Sequence, residues 1–96
     1  MTHNLNPILN PVWSLKSRRA LVCGASRGIG AAIAHLLAQR GAEVILLARD
    51  PERLKKVYAD LPTHPDLQHQ FIPTDLNDLE ALKKLAQTLP EIHILI

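Results

Sequence analysis

The stretch that decides the fold is Arg19-Ala-Leu-Val-Cys-Gly-Ala-Ser-Arg-Gly-Ile-Gly30. Its opening run is mostly apolar and stops at Gly24, which is the pattern of a short buried parallel strand. Beyond the glycines, the apolar residues have the spacing of one helix face: Ile29, Ile33, Leu36 and Leu37. Arg40 falls in the last predicted turn, and Gly41 ends the helix. The stretch therefore predicts a strand, a tight turn and a helix.

The same alternation continues along the chain. Residues 44–48 have the branched apolar composition of a second buried strand. Asp50 and Pro51 then serve as the N-cap and first residue of a second helix, because proline there removes only an N–H that has no helical partner. The apolar face of that helix comprises Leu54, Val57, Tyr58 and Leu61.

Gln70-Phe-Ile-Pro73 predicts a third strand, and Asn77 followed by Glu80 resembles a capping box. The next helical stripe, which ends before Pro90, comprises Leu79, Leu82, Leu85, Ala86 and Leu89. Ile92-His-Ile-Leu-Ile96 is a fourth strand. The order β-α-β-α-β-α-β predicts an α/β fold, with a parallel sheet in strand order 3-2-1-4 and right-handed crossovers. It is similar to one mononucleotide-binding half of a doubly wound sheet.

Residues 1–17 lack periodicity and contain two prolines, so we expect an irregular lead-in to a domain over residues 18–96. Trp13 and Leu15 are the lead-in residues expected to pack on that domain.

Composition excludes several classes of protein. The chain has 96 residues, 47% of them hydrophobic and 21% charged, which fits one folded domain and not a disordered segment. No apolar run approaches the roughly 18 residues of a membrane helix, and the N-terminus lacks the pattern of a secretory signal. Cys23 is the single cysteine, so we expect no intrachain disulfide and a reducing, cytoplasmic location.

Charge is distributed unevenly. Residues 1–49 carry six basic side chains and one acid, whereas residues 50–96 carry five bases and eight acids. The bases form no run and few aromatic residues accompany them, so a small phosphate-bearing ligand is favoured over nucleic acid. The histidines are dispersed, and His64 and His69 lack further ligands at zinc spacing, so no metal site is expected.

The segment from Gly24 to Gly30 follows a predicted strand and precedes a predicted helix. A turn without side-chain bulk lets backbone N–H groups approach a pyrophosphate, and the helix N-terminus adds partial positive charge. The spacing is G-x-x-x-G-x-G and differs from the general G-x-G-x-x-G fingerprint. Such glycines also occur in ordinary strand-to-helix turns, but the position of this segment favours phosphate binding.

Residues 20–30 closely resemble the opening of the short-chain dehydrogenase/reductase family, whose pattern is T-G-x-x-x-G-I-G at the first turn of a Rossmann fold. Asp75 and Leu76 resemble the family's acidic residue and neighbour that hold the adenine ring. Residues 92–96 resemble the strand that leads into its N-N-A-G segment. The resemblance covers about residues 12–96 and implies a truncated Rossmann-type sheet. It also implies these cofactor-binding residues: Gly24, Ser26, Arg27, Gly28, Ile29, Gly30, Arg49, Asp75 and Leu76.

Two departures from the family pattern matter. Cys23 stands where the family usually has threonine, and a thiol is a weaker hydrogen-bond partner. The family's catalytic Ser, Tyr-x-x-x-Lys pair and Asn all lie beyond the fourth strand. Tyr58 is the only tyrosine and Pro62 follows it four residues later, so Tyr58 is expected to belong to the core. We therefore expect no catalytic residue, and no activity, in residues 1–96 alone.

The residue that closes the second strand selects the cofactor, because a carboxylate there binds the ribose 2′-hydroxyl of NAD and arginine favours the 2′-phosphate of NADP. Arg49 stands at about that position. Arg27 matches a second basic residue of NADP-using members of the resembled family. Two guanidinium groups suit one phosphate, although both arginines would also suit a solvated surface. Asp50 competes as a ribose ligand but is better explained as a helix cap. NADP(H) is thus favoured over NAD(H).

Three functions remain open at this point. The first is the cofactor half of an NADP-dependent oxidoreductase that moves a hydride between nicotinamide and a carbonyl or alcohol. The second is a non-catalytic nucleotide-binding mini-protein or gene remnant that acts through a partner subunit. Residues 92–96 would then form an unpaired apolar edge that favours self-association or a missing C-terminal half. The third, a methyltransferase fragment, is disfavoured by Arg49, because those enzymes favour an acid there.

Overall fold

A computed structural model describes residues 14–96 of the chain. Its centre is a four-stranded sheet in the order β3-β2-β1-β4, with every neighbouring pair parallel. The strands are β1 (Arg19–Cys23), β2 (Glu43–Ala48), β3 (Gln70–Pro73) and β4 (Ile94–Leu95), and the helices are α1 (Gly28–Gln39), α2 (Pro51–Asp60) and α3 (Leu79–Thr88). The predicted fold class and strand order are confirmed.

The fourth strand is shorter than predicted. Regular pairing covers only Ile94 and Leu95, so the prediction of a strand from Ile92 is wrong. Hydrogen bonds to β1 nevertheless flank it, from the His93 N–H to the Arg19 carbonyl at 2.9 Å and from the Ile96 N–H to the Leu21 carbonyl at 3.0 Å.

The first helix packs through alanines and not through its large aliphatic residues. Ala34 and Ala38 are buried against the sheet, whereas Ile29 is 80% exposed. The predicted face is therefore wrong for Ile29 and Leu36, whereas Ile33 is partly buried and Leu37 packs against the core at its margin. Small side chains let a helix pack close to a sheet. The helix therefore turns its alanines toward the sheet, and the larger side chains of Ile29 and Leu36 remain exposed to solvent.

The second helix follows the sequence closely. Asp50 caps it by accepting hydrogen bonds from two backbone N–H groups, and Pro51 is its first residue. Leu54 is fully buried. Tyr58 departs from the expected core position, because it lies at the margin, 36% exposed, with its ring 4.8 Å from that of Phe71.

The third helix begins differently from the prediction. Asp78, not Asn77, is its N-cap, and the Asp78 carboxylate accepts a hydrogen bond from the Ala81 N–H at 3.1 Å. The Asn77 N–H instead donates to Asp75 Oδ1 at 2.9 Å, so an extra turn residue precedes the helix. None of the predicted stripe is fully buried, and Leu79 is exposed.

The lead-in is described only from residue 14 onward. Leu15 packs against the core, as predicted, and its N–H donates to the Arg40 carbonyl at 2.9 Å. Trp13 lies outside the described residues.

At the amino ends of the strands, a buried histidine joins two elements. His69 Nδ1 accepts from the Val44 N–H at 3.0 Å, and His69 Nε2 lies 2.8 Å from the Pro62 carbonyl. A carbonyl can only accept, so these partners put the ring proton on Nε2 and leave the imidazole neutral. The ring thereby satisfies two backbone groups at once.

A second polar cluster lies at the same end of the sheet. His93 Nδ1 accepts from the Arg19 N–H at 2.9 Å. The Arg19 side chain contacts Glu43 Oε1 through Nε at 3.4 Å and the Glu91 carbonyl through a terminal nitrogen at 2.9 Å. Side chains thus supply hydrogen-bond partners to backbone groups at this end of the sheet.

Candidate coenzyme site

The carboxyl ends of the strands leave an open cavity of about 780 Å³. Ligands of doubly wound sheets bind at this position, outside the ends of the strands. The glycine turn, the end of β2 with the start of α2, and the loop after β3 form its walls. The lining residues are Gly24, Ser26, Arg27, Ala48, Arg49, Asp50, Arg53, Thr74, Asp75, Leu76 and Asn77.

The glycine turn depends on two features that only glycine provides. Gly28 has φ +62°, and a Cβ placed there would meet nothing within 4 Å. A Cβ on Gly30 would instead collide with the carbonyl of Gly24. The first feature gives a left-handed backbone beside open space, and the second presses the start of α1 against the end of β1.

The start of α1 is bare. Its N-cap, Arg27, has extended backbone and makes no side-chain cap, and the first turn contains no acidic residue. The helix therefore begins with N–H groups that no protein carboxylate neutralises within the described residues. Such a start suits an anion, because its N–H groups and the helix dipole both favour negative charge.

Three arginines and two aspartates line the cavity: Arg27, Arg49, Arg53, Asp50 and Asp75. Asp50 Oδ1 accepts from the N–H groups of Glu52 and Arg53 at 3.0 and 3.2 Å. Its Oδ2 lies 3.5 Å from Arg53 Nε. The Asp50 carboxylate is thus engaged by α2, as the sequence predicted.

The loop after β3 supplies the facing wall. The Thr74 N–H donates to the Ala48 carbonyl at 2.7 Å, which holds this loop against the end of β2. Asp75 shapes the following turn through the Asn77 N–H, and Leu76 is 40% exposed. An apolar residue and an acidic residue, adjacent in sequence, therefore both line the cavity.

The cavity brings together six of the nine residues expected to bind cofactor: Gly24, Ser26, Arg27, Arg49, Asp75 and Leu76. Gly28, Ile29 and Gly30 form the start of α1 and are not part of the cavity wall. Sequence reasoning missed Arg53 and Thr74. Arg53 lies four residues after Arg49 and Thr74 directly follows β3, but neither position along the chain by itself predicts that the side chain lines the cavity.

Cys23, where the family pattern has threonine, ends β1 directly before the turn. Its side chain is half-buried, and this burial raises the pKa of the thiol above its ordinary value of 9.0. The protonated form therefore dominates at neutral pH.

The family model for short chain dehydrogenase matches residues 18–96. The chain belongs to this family. The proteins of this family use a nicotinamide dinucleotide, and the open glycine turn and bare start of α1 fit the pyrophosphate of such a coenzyme.

Two curated relatives illustrate the similarity. The chain is 42% identical over 84 residues to the rhamnolipids biosynthesis 3-oxoacyl-[acyl-carrier-protein] reductase of Pseudomonas aeruginosa, covering 88% of this chain and 32% of that protein. It is 40% identical over 76 residues to a fatty acyl-CoA reductase of Acinetobacter baylyi, covering 79% and 25% respectively. The chain thus spans a third or less of the length of these relatives.

Solved structures agree. A short chain dehydrogenase/reductase family protein superposes with a TM-score of 0.76 at 35% identity, covering 85% of this chain and 33% of that one. Within residues 14–96, no helix is both long enough and apolar enough to cross a membrane.

Proposed function

We propose that this chain is the NADP(H)-binding N-terminal portion of a short-chain dehydrogenase/reductase. The enzyme would transfer a hydride between NADP(H) and a carbonyl or alcohol substrate. One observation carries the choice of coenzyme: Arg27 and Arg49 line the same cavity as the glycine turn. In this proposal residues 18–96 are the first half of the dinucleotide-binding domain.

The proposed binding roles follow from position. The turn from Gly24 to Gly30 and the bare start of α1 receive the pyrophosphate, with Ser26 on the cavity wall beside it. Asp75 and Leu76 receive the adenine, the carboxylate accepting from its amino group and the leucine contacting its ring. Arg27 and Arg49 receive the 2′-phosphate, because guanidinium groups bind phosphate with two parallel hydrogen bonds. The bound coenzyme supplies or accepts the hydride.

Asp50 supports NADP(H) over NAD(H). An acid after β2 would bind the ribose 2′-hydroxyl of NAD, but both oxygens of Asp50 already contact α2. At the end of β2, Arg49 therefore lines the cavity with guanidinium N–H groups that can donate hydrogen bonds to a ligand. A 2′-phosphate matches that charge.

The test is a pair of fluorescence titrations, with NADPH and NADH, on the protein expressed from its complete reading frame. We expect NADPH to bind more tightly by at least about tenfold, the effect of one charge-assisted hydrogen bond. Arg49→Asp should narrow or reverse this preference. Equal affinities, or tighter NADH binding, would overturn the choice of coenzyme.

We further propose that residues 1–96 by themselves bind coenzyme without turning it over. Their single tyrosine, Tyr58, packs beside Phe71, is not among the residues that line the cavity, and has no lysine four residues later. A polypeptide of residues 1–96 should show no NADPH oxidation with aldehydes or ketones, while the full reading frame does. Turnover by the purified 96-residue polypeptide would contradict this.

The alternative is a binding module without catalysis, and the exposed edge of β4 is the observation that favours it. Leu95 and Ile96 are 70% and 45% exposed. Residues 92–96 are therefore expected to pair with a second copy of the chain, with a partner subunit or with a further segment of the same polypeptide. Analytical ultracentrifugation of residues 1–96 tests whether this edge causes association, and a cooperatively folding monomer would contradict that expectation.

The single cysteine fits a reducing compartment, so we propose a cytoplasmic location for the protein.

A further inference from the structure

We propose that Arg53 is a third phosphate-binding arginine of this site and that Asp50 positions it. The inference rests on the proposed use of NADP(H). It adds a specificity-determining residue that lies on α2 and not on the glycine turn or at the end of β2.

The contacts of Arg53 carry the first step. Its side chain lines the cavity together with Arg27 and Arg49, and its Nε lies 3.5 Å from Asp50 Oδ2. Because this contact engages Nε, the two terminal nitrogens of the guanidinium keep their donors for a ligand. The side chain is 53% exposed, so a phosphate in the cavity can reach it without a rearrangement of the core.

The position of Asp50 carries the second step. As N-cap, the residue is fixed relative to α2 by two backbone hydrogen bonds from Glu52 and Arg53. The carboxylate oxygen not used for these bonds holds the Arg53 side chain. This contact would favour one orientation of a long flexible side chain at the cavity, which lowers the entropic cost of binding.

Charge carries the third step. The cavity wall holds three arginines and two aspartates, so its net charge is positive only while Arg53 is present. The Asp50 carboxylate would otherwise repel a 2′-phosphate at this end. Arg53 neutralises the Asp50 carboxylate. Asp50, which would otherwise suit the ribose of NAD, then positions an arginine that binds the 2′-phosphate of NADP.

The experiment compares two charge removals on the same helix in the protein expressed from its complete reading frame. Arg53→Gln removes the proposed ligand, and Lys55→Gln is the matched control, because Lys55 is an exposed cation of α2 that does not line the cavity. For each variant, the dissociation constants of NADPH and NADH are measured by fluorescence titration. Thermal unfolding of both variants checks that they fold.

We expect Arg53→Gln to raise the dissociation constant of NADPH about three- to tenfold and that of NADH less than twofold. Lys55→Gln should change both constants less than twofold. Arg53→Lys should give an intermediate result for NADPH, because lysine keeps the charge without the fork. Equal losses for both coenzymes, or equal effects of Arg53→Gln and Lys55→Gln on NADPH, would overturn the role of Arg53.

Asp50→Asn provides an independent test, since asparagine caps a helix as well as aspartate does. We expect NADPH affinity to fall, because Arg53 loses the carboxylate that positions it, while NADH affinity stays within twofold. A selective loss of NADH affinity would instead make Asp50 a ribose ligand and overturn its positioning role.

These results separate the two proposals. If the unmodified protein prefers NADPH and Arg49→Asp abolishes the preference while Arg53→Gln leaves it unchanged, only this inference fails. If the unmodified protein does not prefer NADPH, the proposed coenzyme fails and this inference falls with it.

Discussion

The two ends of the sheet are built in opposite ways. At the carboxyl ends, the backbone N–H groups at the start of α1 have no side-chain cap, and a cavity of about 780 Å³ opens beside them. At the amino ends, His69 bonds to two backbone groups and His93 bonds to a third. One end leaves polar groups for a ligand, and the other satisfies them internally.

This difference separates binding from stability. Buried backbone groups need partners, because an unpaired one costs about 1–3 kcal/mol. At the amino end the histidines supply those partners, so changes there should act on folding. At the carboxyl end water or a ligand supplies them, so changes there should act on coenzyme affinity.

The largest combined effect, on stability and coenzyme affinity together, is expected from Gly30→Ala. Alanine normally stabilises the interior of a helix by about 1 kcal/mol relative to glycine. Here the added Cβ meets the Gly24 carbonyl, so the start of α1 must move away from β1. We expect the opposite sign, a loss of about 1–3 kcal/mol in the free energy of unfolding, and NADPH affinity lower by at least about tenfold.

Chemical denaturation and coenzyme titration measure the two effects. Ala32→Ser is the control, because it adds a group of similar size to the exposed side of the same helix. A Gly30→Ala protein more stable than the parent, with unchanged affinity, would show that the close contact between the turn and α1 is not required.

The next effect is a loss of stability at the opposite end. His69→Ala removes the acceptor of the Val44 N–H and the donor to the Pro62 carbonyl. It also leaves a cavity beside β2. We expect the free energy of unfolding to fall by about 2–4 kcal/mol, with coenzyme affinity at the native temperature within twofold of the parent.

His64→Ala is the matched control, since His64 lies in the same loop but is exposed, with 66% of its side-chain surface accessible. It should change the free energy of unfolding by less than about 0.5 kcal/mol. Equal effects of the two variants would remove the assignment of His69 to stability. A loss of coenzyme affinity in His69→Ala would break the separation between the two ends.

Local signals in the sequence predict much of this architecture. The apolar runs locate β1 and β2, and Asp50-Pro51 fixes the start of α2 to the residue. Each of these signals operates over a few neighbouring residues. Alternation of strands and helices then gives the strand order, because right-handed crossovers leave few arrangements.

The errors concern choices that only the packed structure resolves. Helical periodicity in α1 is satisfied by the stripe through Ile29 and by the one through Ala34, and the distance between helix and sheet selects the alanines. Asn77 and Asp78 are both good caps, and the turn held by Asp75 selects the second. Arg53 was missed because its distance from Arg49 along the chain does not reveal that both face one cavity.

The smallest expected effect lies at Cys23, where β1 meets the open end. Burial raises the pKa of this thiol above its ordinary value in the folded protein, so the folded state holds its proton more tightly than the unfolded state does. The resulting stability is fully present below the pKa of the unfolded thiol and is lost as pH rises through the folded pKa. We expect the free energy of unfolding of the parent to fall slightly more between pH 8 and pH 10.5 than that of Cys23→Ser. The difference between the two proteins isolates the contribution of the thiol, because every other residue is the same in both. Parallel pH profiles would contradict this prediction. They would mean that solvent reaches Cys23 freely, so that the solvent-accessible end of the sheet includes the last residue of β1.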